Sequence, residues 1–290
     1  MISIIIPAYN EARAIVGTIE SVRAALEETT NYEAEILVVD DGSSDDTGRL
    51  AEEAGATVVR HPHNAGYGRA LKSGILAARH DTIAIIDADL TYPAEEIPPL
   101  IAEYRKGFDL AVGARTGHHY EGSLFKGPLR RLLQFLVEFS AGRRVPDANS
   151  GLRVFSRRTM ESYLPHLCDT FSFTTSQTLA YMLTGRFVTY RPIAYHERVG
   201  STKVRLFSDA LRTLQYILQS VIYYSPLKIF LLLTLLTVAL SLIGFLAAAL
   251  TGLNAPYFLG VGGLLMTIVI FALGLMADLL RQILVRAGSE

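Results

Sequence analysis

Two stretches near the C-terminus limit what this chain can fold into. Ile229 to Leu250 reads IFLLLTLLTVALSLIGFLAAAL and Tyr257 to Ala277 reads YFLGVGGLLMTIVIFALGLMA, with no charged residue in either. Each is about the 20 residues that carry a helix across a hydrocarbon core, and each is apolar on every face. The runs predict a transmembrane hairpin joined by the link 251–256; two buried helices of a soluble core would be shorter and polar on one side. Lys228 flanks the first run, Arg281 and Arg286 follow the second, and the link has neither Lys nor Arg. That asymmetry predicts that both ends face the cytoplasm. The opening MISIIIPAYNEA has no basic leader and only a short apolar run, so no secretory signal is expected.

The remaining sequence is balanced in charge. Lys and Arg total 27 against 28 Asp and Glu, which gives no polycationic surface for nucleic acid. A single cysteine, Cys168, excludes an internal disulfide and any multi-cysteine metal site, and it reads as a buried thiol.

Over residues 1 to about 115, β-branched runs alternate with helical periodicity, the pattern of an α/β, mostly parallel sheet covered by helices. ISIIIP, EILVVDD, ATVVRH, TIAIIDAD and DLAVGAR read as strands; EARAIVGTIESVRAALEE, SDDTGRLAEEAG and AGYGRALKSGILAARH read as helices, with Ser44 or Asp45 and Asn64 as N-caps. Ligands of such sheets bind beyond the carboxyl ends of the strands. Three exits are polar: PAYNE (7–11), DDGSSDDT (40–47) and DADLTYP (87–93). There is no Walker A or GxGxxG fingerprint; NAGYGRA lacks the third glycine. Asp87 and Asp89, one residue apart, repel each other unless a cation intervenes, and Mg2+ or Mn2+ commonly takes one or two carboxylates while substrate phosphates complete its shell. Asp40 and Asp41 can also be read as a turn in which residues 43–46 cap the next helix, the preferred reading for Asp45 and Asp46.

In their order and spacing, IIIPAYNE, VVDDGSSDDT, NAGYGRALKSGI and DADLTYPAEEI resemble the family 2 glycosyltransferases of GT-A fold. GAR, FKGPLRRLLQFL, DANSGLRVFS and ERVGSTKVR narrow the resemblance to the dolichol-phosphate mannose synthase and polyprenyl-phosphate glycosyltransferase branch. With the C-terminal runs it covers nearly the whole chain.

The resemblance implies that Pro7, Tyr9, Glu11, Val39, Asp41, Asp87, Ala88 and Asp89 line a nucleotide sugar, with Asp87 and Asp89 forming a DxD motif on Mg2+ or Mn2+. Thr91 stands where well-known members have a metal-shell glutamine, so it is a candidate ligand, directly or through water. Arg198 and Lys203 match diphosphate-binding positions, and Asp147 and Arg153 flank a motif beside the donor sugar. Arg115 and Arg131 match arginines for the acceptor phosphate, and Arg130 is added because a guanidinium fork suits phosphate oxygens. Arg115, Arg131, Asp89 and Asp147 are thus the catalytic candidates. A phosphate acceptor is already substantially dianionic at neutral pH and needs no strong general base. His118, His119 and His196 have no zinc-type spacing and receive no role.

Arg205 to Tyr224 is amphipathic, suited to the headgroup region or to a second subunit, and Pro226 ends it. The expected organisation is a cytoplasmic catalytic domain (1–203), a juxtamembrane helix (204–226), a transmembrane hairpin (227–280) and a cytoplasmic tail (281–290). The expected reaction is inverting transfer of a hexosyl unit from a GDP-mannose or UDP-glucose type donor to dolichyl or undecaprenyl phosphate, by a homo-oligomer for which similar two-helix proteins suggest a tetramer. A processive polysaccharide synthase is disfavoured because the chain has no tryptophan for the QxxRW motif. A saccharide acceptor, or a nucleotide-sugar sensor without turnover, is the alternative.

Overall fold

The computed structural model describes residues 1–29, 33–117, 127–196 and 206–287, with the backbone alone at 28–29, 127–133, 206–210, 212–213 and 284–287. The chain divides into two compact units, Met1–Ile217 and Leu218–Glu290.

The first unit is built on strands β1 (Ile2–Ala8), β2 (Ala34–Asp40), β3 (Thr57–Arg60), β4 (Thr82–Ile85), β5 (Leu110–Thr116), β6 (Arg153–Ser156) and β7 (Val188–Ala194), in the sheet order β3-β2-β1-β4-β6-β5-β7. Its helices are α1 (Ile15–Thr29), α2 (Thr47–Glu53), α3 (Tyr67–Ala77), α4 (Ile97–Tyr104), α5 (Gly127–Ala141), α6 (Arg157–Glu161) and α7 (Phe173–Leu183). Every residue of β1 is buried, as a parallel strand covered on both faces requires. On one face Ile4 and Ile6 join Ile15, Ile19, Val22, Ile97 and Ile101 in the core. On the other, α3 lies so close that a Cβ on Gly74 would stand 2.5 Å from Ile5 Cγ2 and 3.0 Å from Val39 Cγ2.

Strand order reverses beside β1. The chain runs outward through β2 and β3, then crosses to β4 on the other flank, and this places a crevice between the carboxyl ends of β1 and β4. Strand β6 alone among the described strands runs antiparallel to its neighbours, pairing Ile85 with Arg153 on one side and Val112 with Arg153 on the other. Its amino end therefore lies at the carboxyl ends of β4 and β5. The five strands and three helices expected over residues 1 to 115 are all present. Capping differs at two of them: the residue before α2 is Asp46, which makes no side-chain cap, although Asp45 Oδ1 accepts from the Thr47 N–H at 3.1 Å, and the residue before α3 is Gly66 at φ 104, not Asn64. That left-handed backbone is cheap for glycine.

Helix α8 (Leu206–Tyr224) crosses the boundary between the units, and α9 (Pro226–Thr251) and α10 (Asn254–Ala287) form the second. Both α9 and α10 are long and apolar enough to cross a membrane. Pro226 stands in the first turn of α9, where a missing N–H costs nothing, and Gly252 at φ 70 closes its end. The link is shorter than the expected 251–256, because α10 begins at Asn254 and accommodates Pro256 in its first turn. Small residues let the helices approach closely: a Cβ on Gly244 would stand 2.9 Å from the Pro256 carbonyl and 3.0 Å from Gly260 N, and one on Gly260 would stand 2.9 Å from the Phe245 ring. Thr267 Oγ1 donates to Thr237 Oγ1 at 3.0 Å between the two helices. Small-residue packing of this kind is what joins helices where lipid removes the hydrophobic drive.

Candidate active site

The exits of β1 and β2 are bonded to each other. Asn10 N–H donates to Ser43 Oγ at 2.9 Å, Ser44 N–H to Asn10 Oδ1 at 2.8 Å, and Glu11 N–H to Thr47 Oγ1 at 2.8 Å. Pro7 and Val39 are buried below this rim, while Tyr9 and Glu11 are half-buried in it. Asp41 is buried and accepts from the Ala65 and Gly66 N–H groups at 3.0 and 2.8 Å and from His61 Nδ1 at 2.6 Å; His61 Nε2 contacts Ser73 Oγ at 2.9 Å. Asp41 thus fixes the approach to α3. Asp40 accepts the Ser43 N–H at 2.9 Å, in keeping with the alternative reading of this stretch as a turn.

Asp87, Ala88 and Asp89 leave β4 at the switch point. The turn continues through Leu90 at φ 61, a left-handed backbone that strains a branched residue and is held by its surroundings. Thr18 Oγ1 clamps the Ala88 carbonyl at 3.0 Å. Asp89 is buried, and its Oδ1 receives the Thr91 hydroxyl at 2.6 Å and the Thr91 N–H at 3.2 Å. Asp87 Oδ1 receives the Tyr67 hydroxyl at 2.8 Å. Gly151 abuts the same carboxylate so closely that a Cβ there would lie 2.5 and 2.6 Å from its oxygens. Gly151 N–H in turn donates to Tyr92 Oη at 2.7 Å. Burial, and next the Asp87 carboxylate, push the Tyr67 phenol well above its ordinary range, so it remains a donor at neutral pH.

Arg115, near the end of β5, forks onto Asp147: Nε to Oδ2 at 2.7 Å and Nη2 to Oδ1 at 2.9 Å. Burial alone would raise the Asp147 pKa, but the Arg115 fork and the N–H groups of Arg115 and Asn149 outweigh it and leave the carboxyl below its usual value. Arg115 also lies 5.4 Å over the Tyr195 ring, which packs edge-on against Tyr92 at 5.3 Å. A continuous run of contacts therefore joins Asp87 to Asp147 through Gly151, Tyr92, Tyr195 and Arg115.

Arg153 lies apart from this surface. It is fully buried, and its guanidinium donates to the carbonyls of Ser150, Thr174 and Ala148 at 2.9, 2.9 and 3.1 Å and to Gln177 Oε1 at 3.0 Å. It ties the 147–151 segment to α7. Arg130 and Arg131 are the fourth and fifth residues of α5, where the backbone alone is described; Arg198, Lys203, His118 and His119 lie outside the described residues. His196 is exposed, and its N–H donates to the Thr91 carbonyl at 2.9 Å. Cys168 is buried, as expected.

Sequence alone does not single out Tyr67, Tyr92, Tyr195 or Gly151. Tyr67, Tyr92 and Gly151 do stand within the motifs NAGYGRA, DADLTYP and DANSGLRVFS, and that proximity is the available signal.

Among the described residues, no set of three or more His, Cys, Asp or Glu side chains converges as a metal cage. Asp87 and Asp89 are the carboxylates that could hold a cation whose shell a ligand's oxygens complete, and the lack of a Cβ at Gly151 leaves room for the Asp87 carboxylate. Residues 3–164 match the family described as Glycosyl transferase family 2, and the chain belongs to it. The low-salt glycan biosynthesis hexosyltransferase Agl6 of Haloferax volcanii is 34% identical over 289 residues, covering 94% of this chain and 66% of that protein. An undecaprenyl-phosphate 4-deoxy-4-formamido-L-arabinose transferase of Pseudomonas fluorescens is 33% identical over 68% of this chain and 58% of its own length. Its counterpart in Yersinia enterocolitica is 32% identical over 86% of this chain and 75% of its own length. The chain thus spans 66% and 58% of the lengths of the first two relatives. Glucosyl-3-phosphoglycerate synthase from Mycobacterium tuberculosis, crystallised with Mn2+, uridine diphosphate and phosphoglyceric acid, superimposes with a TM-score of 0.62 at 21% identity, over 76% of this chain and 78% of that one. That likeness establishes the fold, and the GT-A architecture expected from the motifs is borne out.

Proposed function

We propose that this protein transfers a hexosyl unit from a nucleotide sugar to a polyprenyl phosphate at the cytoplasmic face of a membrane, with inversion at the anomeric carbon. The observation that carries this reading is the meeting of two unlike groups at one sheet edge: the Asp87–Asp89 pair, and Arg115 held by Asp147 at 2.7 Å. The relatives named for undecaprenyl-phosphate sugar transfer support a lipid phosphate acceptor, and the two long apolar helices support a membrane site.

In this reading Pro7, Tyr9, Glu11, Val39, Asp41 and Ala88 shape the nucleotide crevice, and Asp87 and Asp89 hold Mg2+ or Mn2+. A bound cation supplies neutralisation of the charge that grows on the departing diphosphate. Crystals of the glucosyl-3-phosphoglycerate synthase with Mn2+ support a divalent ion in this fold. Thr91 orients Asp89, and Arg153 positions the 147–151 segment from below. Arg198 and Lys203 bind the donor diphosphate. Arg115, Arg130 and Arg131 hold the acceptor phosphate, and Asp147 keeps Arg115 in a fixed pose. A phosphate oxygen of the acceptor forms the new bond to the anomeric carbon as the bond to the diphosphate oxygen breaks, and the nucleoside diphosphate leaves. The acceptor brings no proton to remove, so the site needs no general base.

Residues 1–203 form the catalytic domain, 204–226 the juxtamembrane helix, 227–280 the hairpin and 281–290 a cytoplasmic tail, in a homo-oligomer. The test is to incubate the purified full chain in detergent with Mn2+ or Mg2+, a short-chain polyprenyl phosphate and a panel of GDP and UDP sugars, and to look for the lipid-linked sugar by mass spectrometry. Product from one donor, abolished in Asp89→Asn, is the expected result. Donor hydrolysis or binding with no lipid product from any donor would overturn the reading.

A further inference from the structure

Asp87 and Asp89 are both held by neutral hydroxyl donors, and one of those donors comes from a distant part of the chain. Thr91 reaches Asp89 from two residues away, whereas Tyr67 reaches Asp87 from the first turn of α3. A hydroxyl can fix a carboxylate in one orientation without cancelling its charge, which a lysine or arginine would do.

The local fold is built to deliver the Tyr67 hydroxyl. Gly66, at φ 104, lets the chain turn into α3 beneath the Asp169 carbonyl, which stands 2.6 Å from where a Cβ would be. Arg69 N–H donates to that carbonyl at 3.1 Å, and Lys72 pairs with the Asp169 carboxylate at 2.7 Å and donates to the Leu167 carbonyl at 2.5 Å. The 167–171 segment is thereby fastened along α3. Its last residue, Phe171, stacks on Tyr67 with ring centres 5.3 Å apart and planes 2° from parallel. The phenol is thus held at its ring by Phe171 and at its oxygen by Asp87. An otherwise solvent-facing aromatic, Phe171 remains 41% exposed, so burial of Phe171 itself does not explain the stack.

We propose that Tyr67 is a positioning residue for the cation site: its hydroxyl fixes the Asp87 carboxylate in the orientation that receives the divalent ion, and Phe171 holds the phenol in place. This rests on the reading of Asp87 and Asp89 as the cation-binding pair. Outer hydrogen-bond partners of metal-binding groups typically contribute about 10- to 100-fold in metal affinity.

The experiment is a Mn2+ titration of the full chain in detergent, followed by the electron paramagnetic resonance signal of free Mn2+, in separate series with GDP and with UDP. Wild type, Tyr67→Phe, Phe171→Ala and Asp87→Asn are compared, with thermal melting as the control for folding. Tyr67→Phe keeps the ring and its stacking, so it should melt close to wild type while binding Mn2+ roughly 10- to 100-fold more weakly. Phe171→Ala keeps the hydroxyl but frees the ring, and should fall between wild type and Tyr67→Phe. If Tyr67→Phe binds Mn2+ like wild type while Asp87→Asn does not, the role given to Tyr67 is overturned and the cation pair stands. If Asp87→Asn also binds like wild type, the cation reading fails and the inference with it. Both outcomes are read from binding alone, without turnover.

Discussion

Arg115 and Asp147 form a two-pronged ion pair whose carboxylate is 2% exposed and whose guanidinium is 15% exposed. A pair this secluded from water behaves differently from a surface salt bridge. Removing one member strands the other, at about 3–5 kcal/mol, where a surface pair would cost a fraction of that.

Asp147→Asn should therefore lower the melting temperature by several degrees and also release Arg115 from its pose, so that turnover falls with it. The pH dependence has a defined sign. The Asp147 pKa is lower in the folded chain than the unfolded value of about 3.9, so the pair stabilises fully above that value and is lost as pH falls through the folded one. The melting difference between wild type and Asp147→Asn should be largest near neutral pH and shrink on acidification toward pH ~3. A difference that grows on acidification would contradict the pairing.

Gly151→Ala tests the cradle of Asp87. The added methyl would stand 2.5 to 2.7 Å from the atoms of that carboxylate, which must move aside. Misplacement of a reacting group by about 1 Å can cost about 100-fold in rate, so turnover should drop by about that factor while the protein still melts cooperatively. Near-normal turnover would show that Asp87 tolerates displacement.

Arg153 gives the opposite balance. Replacing it with leucine removes the guanidinium from the carbonyls of Ser150, Thr174 and Ala148; the last two keep the Thr178 hydroxyl, whereas the Ser150 carbonyl is orphaned at about 1–3 kcal/mol. The expected outcome is a large loss of melting temperature with a smaller loss of nucleotide affinity in the protein that remains folded, read by calorimetry and by titration. Wild-type melting with much weaker donor binding would make Arg153 a ligand instead.

In the hairpin, Gly260→Leu would drive a side chain into the Phe245 ring, now 2.9 Å from the Cβ position. Overpacking of this kind costs about 1–3 kcal/mol, so thermal stability in detergent should fall, whereas Gly262→Leu, on a face with no neighbour within 4 Å, should leave it unchanged. Equal effects of the two would refute the interface.

Much of this is legible in the sequence because it is local or periodic. The β-branched runs of β1, β2 and β4, the acidic turn after β4 and the two apolar helices each announce themselves within a short window. Strand β6 does not, because RVFS is only four residues long and its direction depends on partners some 40 and 70 positions away. Asp147 and Arg115 are both recognisable, but not as each other's partner, since 32 residues separate them. Arg153 is expected beside the donor; a charged residue gives no local sign that carbonyls will enclose it. Tyr67 and Tyr92 escape notice for a related reason: their phenols act on residues 20 and 59 positions away.

The reversal of β6 has a consequence for how this protein fails when heated. Because that strand is wedged between β4 and β5, the acidic turn and the Arg115 pair share one splint: the chain that enters β6 touches both. Peeling β6 away would dismantle both at the same instant. Inactivation on warming should accordingly coincide with melting of the sheet, with no interval in which a folded but inert form accumulates.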